Sequence, residues 1–397
     1  MWKIFRKLKA KTSTYAGSPH IHVINEGHTF SAWNGNAYEN DIFRSAVDAI
    51  ARNVAKLRGT HIVRGENDIK KKGNDKLIQL LQVRPNAFMS SYDMLYKMAS
   101  VLWTTNNAWA LLDFDTRGEL TAIYPLSPVS VKMLENEGGE LFAEMTFRNG
   151  KGAIFPYREL IHLRRFFNDN ELFGASNTAI SAALELAEAE NATITAGIRQ
   201  GANLRGVLKY STILNDTDLK RIKERFVSDY LDVSNTGGLA ALDSKADFIP
   251  LNFQPVILNA EQSKAIREKI YNYLGISEKI VNASYNENEF SAFFESVIEP
   301  FAIALSLEFT AKIFTDRERA FGNEIIFEAG RLQFASTATK TALIKELVPL
   351  GILTLNQALE ILNLPSIPDG EKRLQSLNYV AADKAIDYQL QDKKGGE

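Results

Sequence analysis

The sequence predicts a helix-rich α+β protein. Three observations carry that prediction. Apolar residues recur at helical spacing in several long stretches, a central block holds short apolar runs separated by turn residues, and two long helical segments bracket a small insertion.

The 397 residues carry 46 Lys plus Arg against 48 Asp plus Glu, a net charge of -2, and 45% are hydrophobic. That is material for two or three folded units with a sizeable core, and it excludes wholesale disorder. The balance lacks the basic excess of a protein that grips phosphates tightly, so a sequence-reading DNA binder is not expected. There is no cysteine. Disulfide scaffolds, thiolate metal sites and cysteine nucleophiles fall away together, and a reducing setting is expected. No window approaches the roughly 18 uninterrupted apolar residues of a membrane span. The first residues, MWKIFRKLKAK, are basic without an apolar core or cleavage site of the secretory kind. Trp2, Phe5 and Leu8 would share one face of a helix ringed by basic residues. That pattern suits a membrane surface or an acidic partner, and equally a flexible basic arm.

Residues 12–37 show no periodicity and read as an arm or linker. From Asn40 onward Ile42, Ala46, Ala49, Ile50 and Leu57, then Leu77, Leu80 and Leu81, then Tyr92, Leu95, Tyr96, Ala99, Leu102 and Trp103 mark three amphipathic helices. Ser90 with Asp93 caps the third, and Arg84, Pro85 and Asn86 turn the chain out of the second. Residues 107–166 hold the runs AWALLDF, LTAIYPL, LFAEMTF, AIFPY and LIHLRRF, broken by Asp115 to Gly118, Glu137 to Gly139 and Asn149 to Gly152. Antiparallel hairpins follow from that alternation.

Residues 176–200 are Ala-rich with a narrow stripe of Ile180, Leu184, Ala187, Ile194 and Ile198, a helix that neighbours can approach closely. Residues 201–256 read as a small α/β insertion: strand GVLKY, a helix from Thr217 to Tyr230, and strands at GGLAAL and FIPL. A second long helix starts at Asn259, which has capping-box spacing to Gln262, and stops at Gly275. Residues 275–289 are polar, Asn-rich and loop-like. Phe290, Phe293, Phe294, Val297, Ile298, Phe301, Leu305, Phe309 and Ile313 then form the strongest apolar face in the chain. Pro300 removes a backbone donor in its middle, so a kink is expected at Val297 to Glu299. A strand at Ile325 to Glu328 follows, then a helical hairpin over 337–364 with Gly351 at its turn and Thr354 and Gln357 as a capping box. The tail beyond Ala382 reads as frayed.

Catalytic chemistry is hard to find. His20, His22 and His28 fall in the arm and His61 in a loop, so no helix face presents them together to a metal. His162 sits in a strand beside Arg164 and reads first as a hydrogen-bonded sheet residue. Nucleotide-binding glycine motifs, a nucleophile elbow and paired carboxylates in apolar segments are all missing, and Gly150, Lys151 and Gly152 suit a hairpin turn better than a phosphate loop.

The order of segments says more. Arg84-Pro85-Asn86 with Met89 and Tyr92, Asn107-Ala108-Trp109, Asp115 to Gly118 with Leu126 and Pro128, and Ile161-His162-Leu163-Arg164 come first. Gly174 with Ser176, Gly206-Val207-Leu208, Gly275-Ile276, Pro300 and Gly351-Ile352-Leu353-Thr354-Leu355-Asn356 complete the series. Together these resemble the portal proteins of tailed double-stranded DNA bacteriophages, in their shorter family, from about Asn40 to Leu377. Two positions depart from that pattern. Asn106 stands where the family has glycine, which implies a locally different turn, and Gln357 stands where it has Glu.

The resemblance implies a ring, usually of twelve copies, at one capsid vertex, with genome DNA passing along its axis in packaging and ejection. It implies an N-terminal arm over 1–39, a wing over 40–175, stem helices over 176–200 and 257–274, and a clip over 201–256. A tunnel loop over 275–289, a kinked channel helix and wing strand over 290–335, a crown over 336–381 and a flexible tail over 382–397 complete it. Lys279, Asn282 and Asn286 would face DNA in the tunnel loop, although Lys279 could instead pair with Glu278 or a neighbouring chain. Pro85, Asn86, Asn107, His162, Gly174, Pro300, Gly351 and Asn356 would be structural motif positions.

The implied partners are further copies of the chain, double-stranded DNA bound without sequence specificity, the terminase large subunit, a head-tail adaptor, the major capsid protein and a scaffold. No cofactor, metal or membrane is implied. The place would be the virion, after assembly in the host cytoplasm, and a separate ATPase would move the DNA. Two other classes stay open: a hydrolase using His162 and a carboxylate, and a membrane-peripheral scaffold using the basic N-terminal segment.

Overall fold

The computed structural model describes residues 21–23, 30–31, 37–65, 70–168, 170–201, 206–210, 215–226, 246–250, 260–328, 337–362 and 364–375. They form two compact units, one built from 1–34, 46–176 and 275–397, the other from 35–45 and 177–274. Trp2, Phe5, Leu8, His20, His28, Asn259, the GGLAAL run and the tail beyond Ala382 lie outside the described residues.

In the first unit, strands β1 (Ile21–Val23) and β2 (Phe30–Ser31) pair with a later strand, so part of the supposed arm belongs to a sheet. Helix α1 (Asp41–Val54), whose residues up to Ser45 count with the second unit, opens at Asn40, whose Oδ1 accepts the N–H groups of Ile42 and Phe43 at 3.1 and 3.2 Å. Strands β3 (Arg58–Arg64) and β4 (Lys70–Lys72) follow. His61 therefore lies in a strand and is buried, not in a loop: Asn74 N–H donates to its Nδ1 at 2.8 Å, and its Nε2 lies 3.0 Å from Asn323 Oδ1. Helices α2 (Asp75–Gln82) and α3 (Ser91–Thr105) complete the expected trio, and Ser90 with Asp93 forms the expected capping box.

Six strands follow: β5 (Asn107–Phe114), β6 (Leu120–Leu126), β7 (Ser130–Asn136), β8 (Leu141–Thr146), β9 (Gly152–Pro156) and β10 (Leu160–Arg164). Every pairing is antiparallel, as the turn spacing predicts, but the strands divide into two sheets, β10-β5-β6 and β1-β7-β8-β9 with β2 also on β7. Trp109, Leu111, Leu126, Val131, Met133, Met145 and Phe155 bury their side chains in one core drawn from both sheets.

The second unit contains α4 (Ser181–Gly201), β11 (Gly206–Tyr210), α5 (Asp216–Phe226), β12 (Ala246–Pro250) and α6 (Ala260–Leu274). Helices α4 and α6 pack together, joined where Ser263 donates to the Glu190 carboxylate, while β11 and β12 pair antiparallel. The predicted stripe is buried at Ile180, in the turn just before α4, and at Leu184 and Ala187 on the helix, and Ile194 is exposed.

Back in the first unit, Gly275 has φ +79°, a left-handed turn that glycine takes without a Cβ penalty. The 275–289 segment is not a loop. It contains the short helix α7 (Glu278–Val281) and the first turn of α8 (Glu287–Phe293), with Ile276 and Ile280 buried beneath it. Helix α8 runs through a π turn, Phe294–Ile298, into α9 (Glu299–Ile313). The Glu299 N–H bonds to Phe294 O, five residues back. The distortion expected from Pro300 is thus a wider helical turn just before it, with the proline early in α9, where its missing N–H costs least.

Taken whole, Glu287–Ile313 is long and apolar enough, by length and composition, to cross a membrane, contrary to the expectation that no segment qualifies. One side of it packs inside the protein: Phe301, Leu305 and Phe309 are buried, and Phe309 meets Phe327 edge-on at 5.2 Å. Its target is the sheet β13-β3-β4, in which β13 (Asn323–Glu328) is the outer strand. Helix side chains cover that edge, for Ser306 Oγ accepts the Phe327 N–H at 2.8 Å and Thr310 Oγ1 accepts the Ile325 N–H at 2.9 Å. Edge donors that would otherwise invite another strand are satisfied within the fold.

Short α10 (Asp316–Ala320) precedes β13, and α11 (Thr337–Leu347), β14 (Leu350–Thr354), α12 (Leu355–Ile361) and β15 (Arg373–Gln375) follow. Thr354 and Gln357 form the expected capping box. Gly351, at φ +69°, lies within β14 rather than in a plain helix-to-helix turn, because β14 pairs with β15.

Candidate functional site

Two places gather the residues singled out by the sequence. The first is a polar knot at the start of β5. Helix α3 ends at Asn106, which takes the left-handed conformation at φ +57° and is fully buried. After glycine, Asn tolerates that geometry best. Asn106 therefore holds a left-handed turn of the kind that glycine also takes readily. Asn106 Nδ2 donates to Ala175 O at 2.8 Å, and its carbonyl accepts the Arg165 N–H at 2.9 Å. Next door, Asn107 Oδ1 accepts the Gly174 N–H at 2.9 Å, and its Nδ2 donates to Gly174 O at 3.1 Å. The two asparagines clamp the 165–175 segment onto the sheet.

His162 sits opposite Trp109 across β10 and β5, and the rings stack at 3.5 Å between centroids. Its Nε2 is 3.1 Å from Asn107 Oδ1 and its Nδ1 is 3.2 Å from Tyr157 Oη. An acceptor at Nε2 requires the N–H there, which leaves Nδ1 to accept from the tyrosine. Burial, then Arg164 and Lys312, push the imidazole pKa well below its ordinary value near 6.5. Lys312 Nζ donates to Tyr157 O at 3.1 Å, and burial lowers its pKa. Burial raises that of Tyr157, assisted by Glu308. The imidazole is neutral, and hydrogen bonds engage both nitrogens, so it has no lone pair with which to take a substrate proton. This arrangement holds a sheet together; it does not equip a hydrolase.

That depressed pKa predicts a pH dependence. The unfolded chain takes up a proton as pH falls below about 6.5, and the folded His162 does not. Stability is therefore complete above about 6.5 and declines below it, by up to about 1.4 kcal/mol per pH unit for this one group. Denaturant unfolding between pH 7 and pH 5 is expected to give a shallower slope for His162→Gln than for the unaltered chain.

The second place is the 275–289 segment. Lys279, Asn282 and Asn286 are all exposed. Lys279 pairs with Glu289, not with Glu278. Asn286 caps α8 through a capping box with Glu289, whose carboxyl is held below the usual carboxylate range by the Lys279 ammonium and then by the Asn286 N–H. Thr339 Oγ1 donates to Glu287 Oε2 at 3.1 Å, tying α8 to α11. Lys279 and Asn286 thus converge on one carboxylate, while Asn282 closes α7. Short-range capping signals could have found Asn286 and Glu289. The Lys279 pairing spans ten residues and follows only from the fold.

The remaining motif residues also bind backbone. Asn86 Nδ2 donates to Ile123 O at 2.7 Å, and Pro85 O accepts the Ile123 N–H at 2.8 Å, so the turn docks on β6. Asn356 Oδ1 accepts the Ile367 N–H at 3.0 Å and orders the connection to β15. Among the described residues, no group of three or more His, Asp or Glu side chains converges as a metal site.

A family model described as phage portal protein matches residues 41–363. The chain belongs to the phage portal protein family. Its fold matches a chain in the neck of an empty gene transfer agent particle computed with C6 symmetry, at TM-score 0.60 and 16% identity, over 84% of this chain and 92% of that one. It also matches a chain in the virion of a native gene transfer agent particle, at TM-score 0.58 and 16% identity, over 83% and 92%. An HK97 family phage portal protein from Corynebacterium diphtheriae gives TM-score 0.51 and 14% identity, over 77% and 98%. At such identities the likeness is one of fold. No curated protein matches the sequence. The helix-rich α+β reading holds, and the polar knot and the Lys279 segment both lie inside the matched range.

Proposed function

We propose that this chain is a non-enzymatic portal subunit that closes into a ring, of about twelve copies by analogy, at a capsid vertex and conducts double-stranded DNA in packaging and ejection. The observation that carries this reading is family membership over residues 41–363, joined to a fold met in the neck of a phage-like particle. The paired helices α4 and α6 belong to a compact unit of their own with the β11-β12 ribbon, which supports a stem at 176–200 and 257–274 and a clip at 201–256. The clip would receive the terminase large subunit and a head-tail adaptor. The wing, 40–175, would face the major capsid protein and scaffold, and 336–381 would be the crown.

The 275–289 segment, held by the Asn286–Glu289 capping box and carrying exposed Lys279, Asn282 and Asn286, would approach the bore, with 290–335 bracing it. DNA must slide there, and each phosphate neutralised adds adhesion that movement has to break. A lysine already paired with Glu289 answers that need, since its charge is offset on its own surface. The chain is expected to act in the virion after assembly in the host cytoplasm, with a separate ATPase driving the DNA.

Negative-stain imaging and mass measurement of the purified chain test this. Rings with an open axis are expected. A monomeric mass at high protein concentration, with no rings, would refute the reading.

A further inference from the structure

Helix α9 packs against β13 and, through Glu308 and Lys312, beside β10, and most of its remaining surface is apolar. One apolar stripe stays uncovered: Ile303 is 55% exposed and Leu307 65%, and Pro300 lies exposed on the same stripe. A second apolar patch lies elsewhere on the first unit. Val83 is 60% exposed, Phe88 53% and Tyr92 45%. The bond from Ser91 N–H to Val83 O, 3.0 Å long, and the bridge between Asn86 and Met89 draw these three into one compact turn. The two patches differ in charge, although Arg84 also faces Asp93 within its own patch. Glu295 and Glu299 precede the helix stripe on its own face, whereas Arg84, exposed, lies within the turn patch.

A closed ring uses head-to-tail contacts, so each copy must present two different surfaces that fit one another. Resting on the ring reading above, we propose that the Pro300–Ile303–Leu307 stripe of one copy docks on the Val83–Phe88–Tyr92 turn of the next copy, with Arg84 facing the glutamates. A lipid surface is disfavoured as the occupant because the stripe begins with two carboxylates and lies on a helix whose opposite side is packed against a sheet.

The chain contains no cysteine, so introduced thiols report only on themselves. Leu307→Cys with Phe88→Cys, treated with a short bis-maleimide, is expected to give a ladder of cross-linked multimers, and each single variant only monomer. Leu307→Glu is expected to raise the concentration needed for assembly by about tenfold or more while leaving the circular dichroism spectrum intact. Rings that assemble normally in Leu307→Glu, with no ladder in the double variant, would overturn this interface and leave the ring reading standing. A cross-linked dimer from Leu307→Cys alone would also overturn it, as would flotation of the unaltered chain with neutral phospholipid vesicles that Leu307→Glu abolishes. An unaltered chain that stays monomeric at high concentration would overturn both readings.

Discussion

Gly174→Ala is expected to be among the most damaging single substitutions in the first unit. A Cβ at this position would lie 2.3 Å from Arg165 O and 2.5 Å from Asn106 O, and both neighbours are backbone. Backbone cannot rotate aside as a side chain can, so either the 165–175 segment lifts away or the end of α3 moves. Both outcomes break bonds that Asn106 and Asn107 make to Gly174 and Ala175. A cost of about 3 kcal/mol or more follows from steric overlap plus lost buried hydrogen bonds. Thermal unfolding should register it as a fall in Tm of about 6 to 12 °C. A change below about 1 °C would show that the clamp is looser than its geometry implies.

Asn107→Ala attacks the same knot from the other side. The asparagine side chain is fully buried and serves His162 Nε2, Gly174 N–H, Gly174 O and Thr105 O at once. Alanine takes this partner away from two donors and two acceptors in a dry place. Each such orphan costs about 1 to 3 kcal/mol, less than additively when they share one cavity, so a loss of about 3 to 5 kcal/mol is expected. The variant should also free the His162 imidazole from its fixed tautomer, and the imidazole proton signals of His162 should shift or broaden. Stability within about 1 kcal/mol of the unaltered chain would mean that water replaces the amide, and would remove the knot from any account of the fold.

Local signals were legible in advance. Ser90 with Asp93 and Thr354 with Gln357 are three residues apart, and each pair satisfies its own helix terminus, so sequence spacing alone specifies the outcome. The hairpins over 107–164 are likewise announced by their turns. Gly275 marks the end of α6 because its positive φ needs no distant partner. The polar motif positions could be named, but their work could not. Asn107 acts on Gly174, 67 residues away, and nothing within a few residues of either reveals the other.

Periodicity, caps and turn residues thus set the helix-rich α+β class, the antiparallel hairpins and the long apolar helix, since each depends on interactions between near neighbours. Packing alone settled the rest. His61 became a strand residue because Asn74 and Asn323 reach its ring, the 275–289 segment became helical because Ile276 and Ile280 found a core, and Lys279 found Glu289 rather than Glu278. Such choices turn on which groups meet after the chain folds back on itself, and spacing along the chain does not encode those meetings.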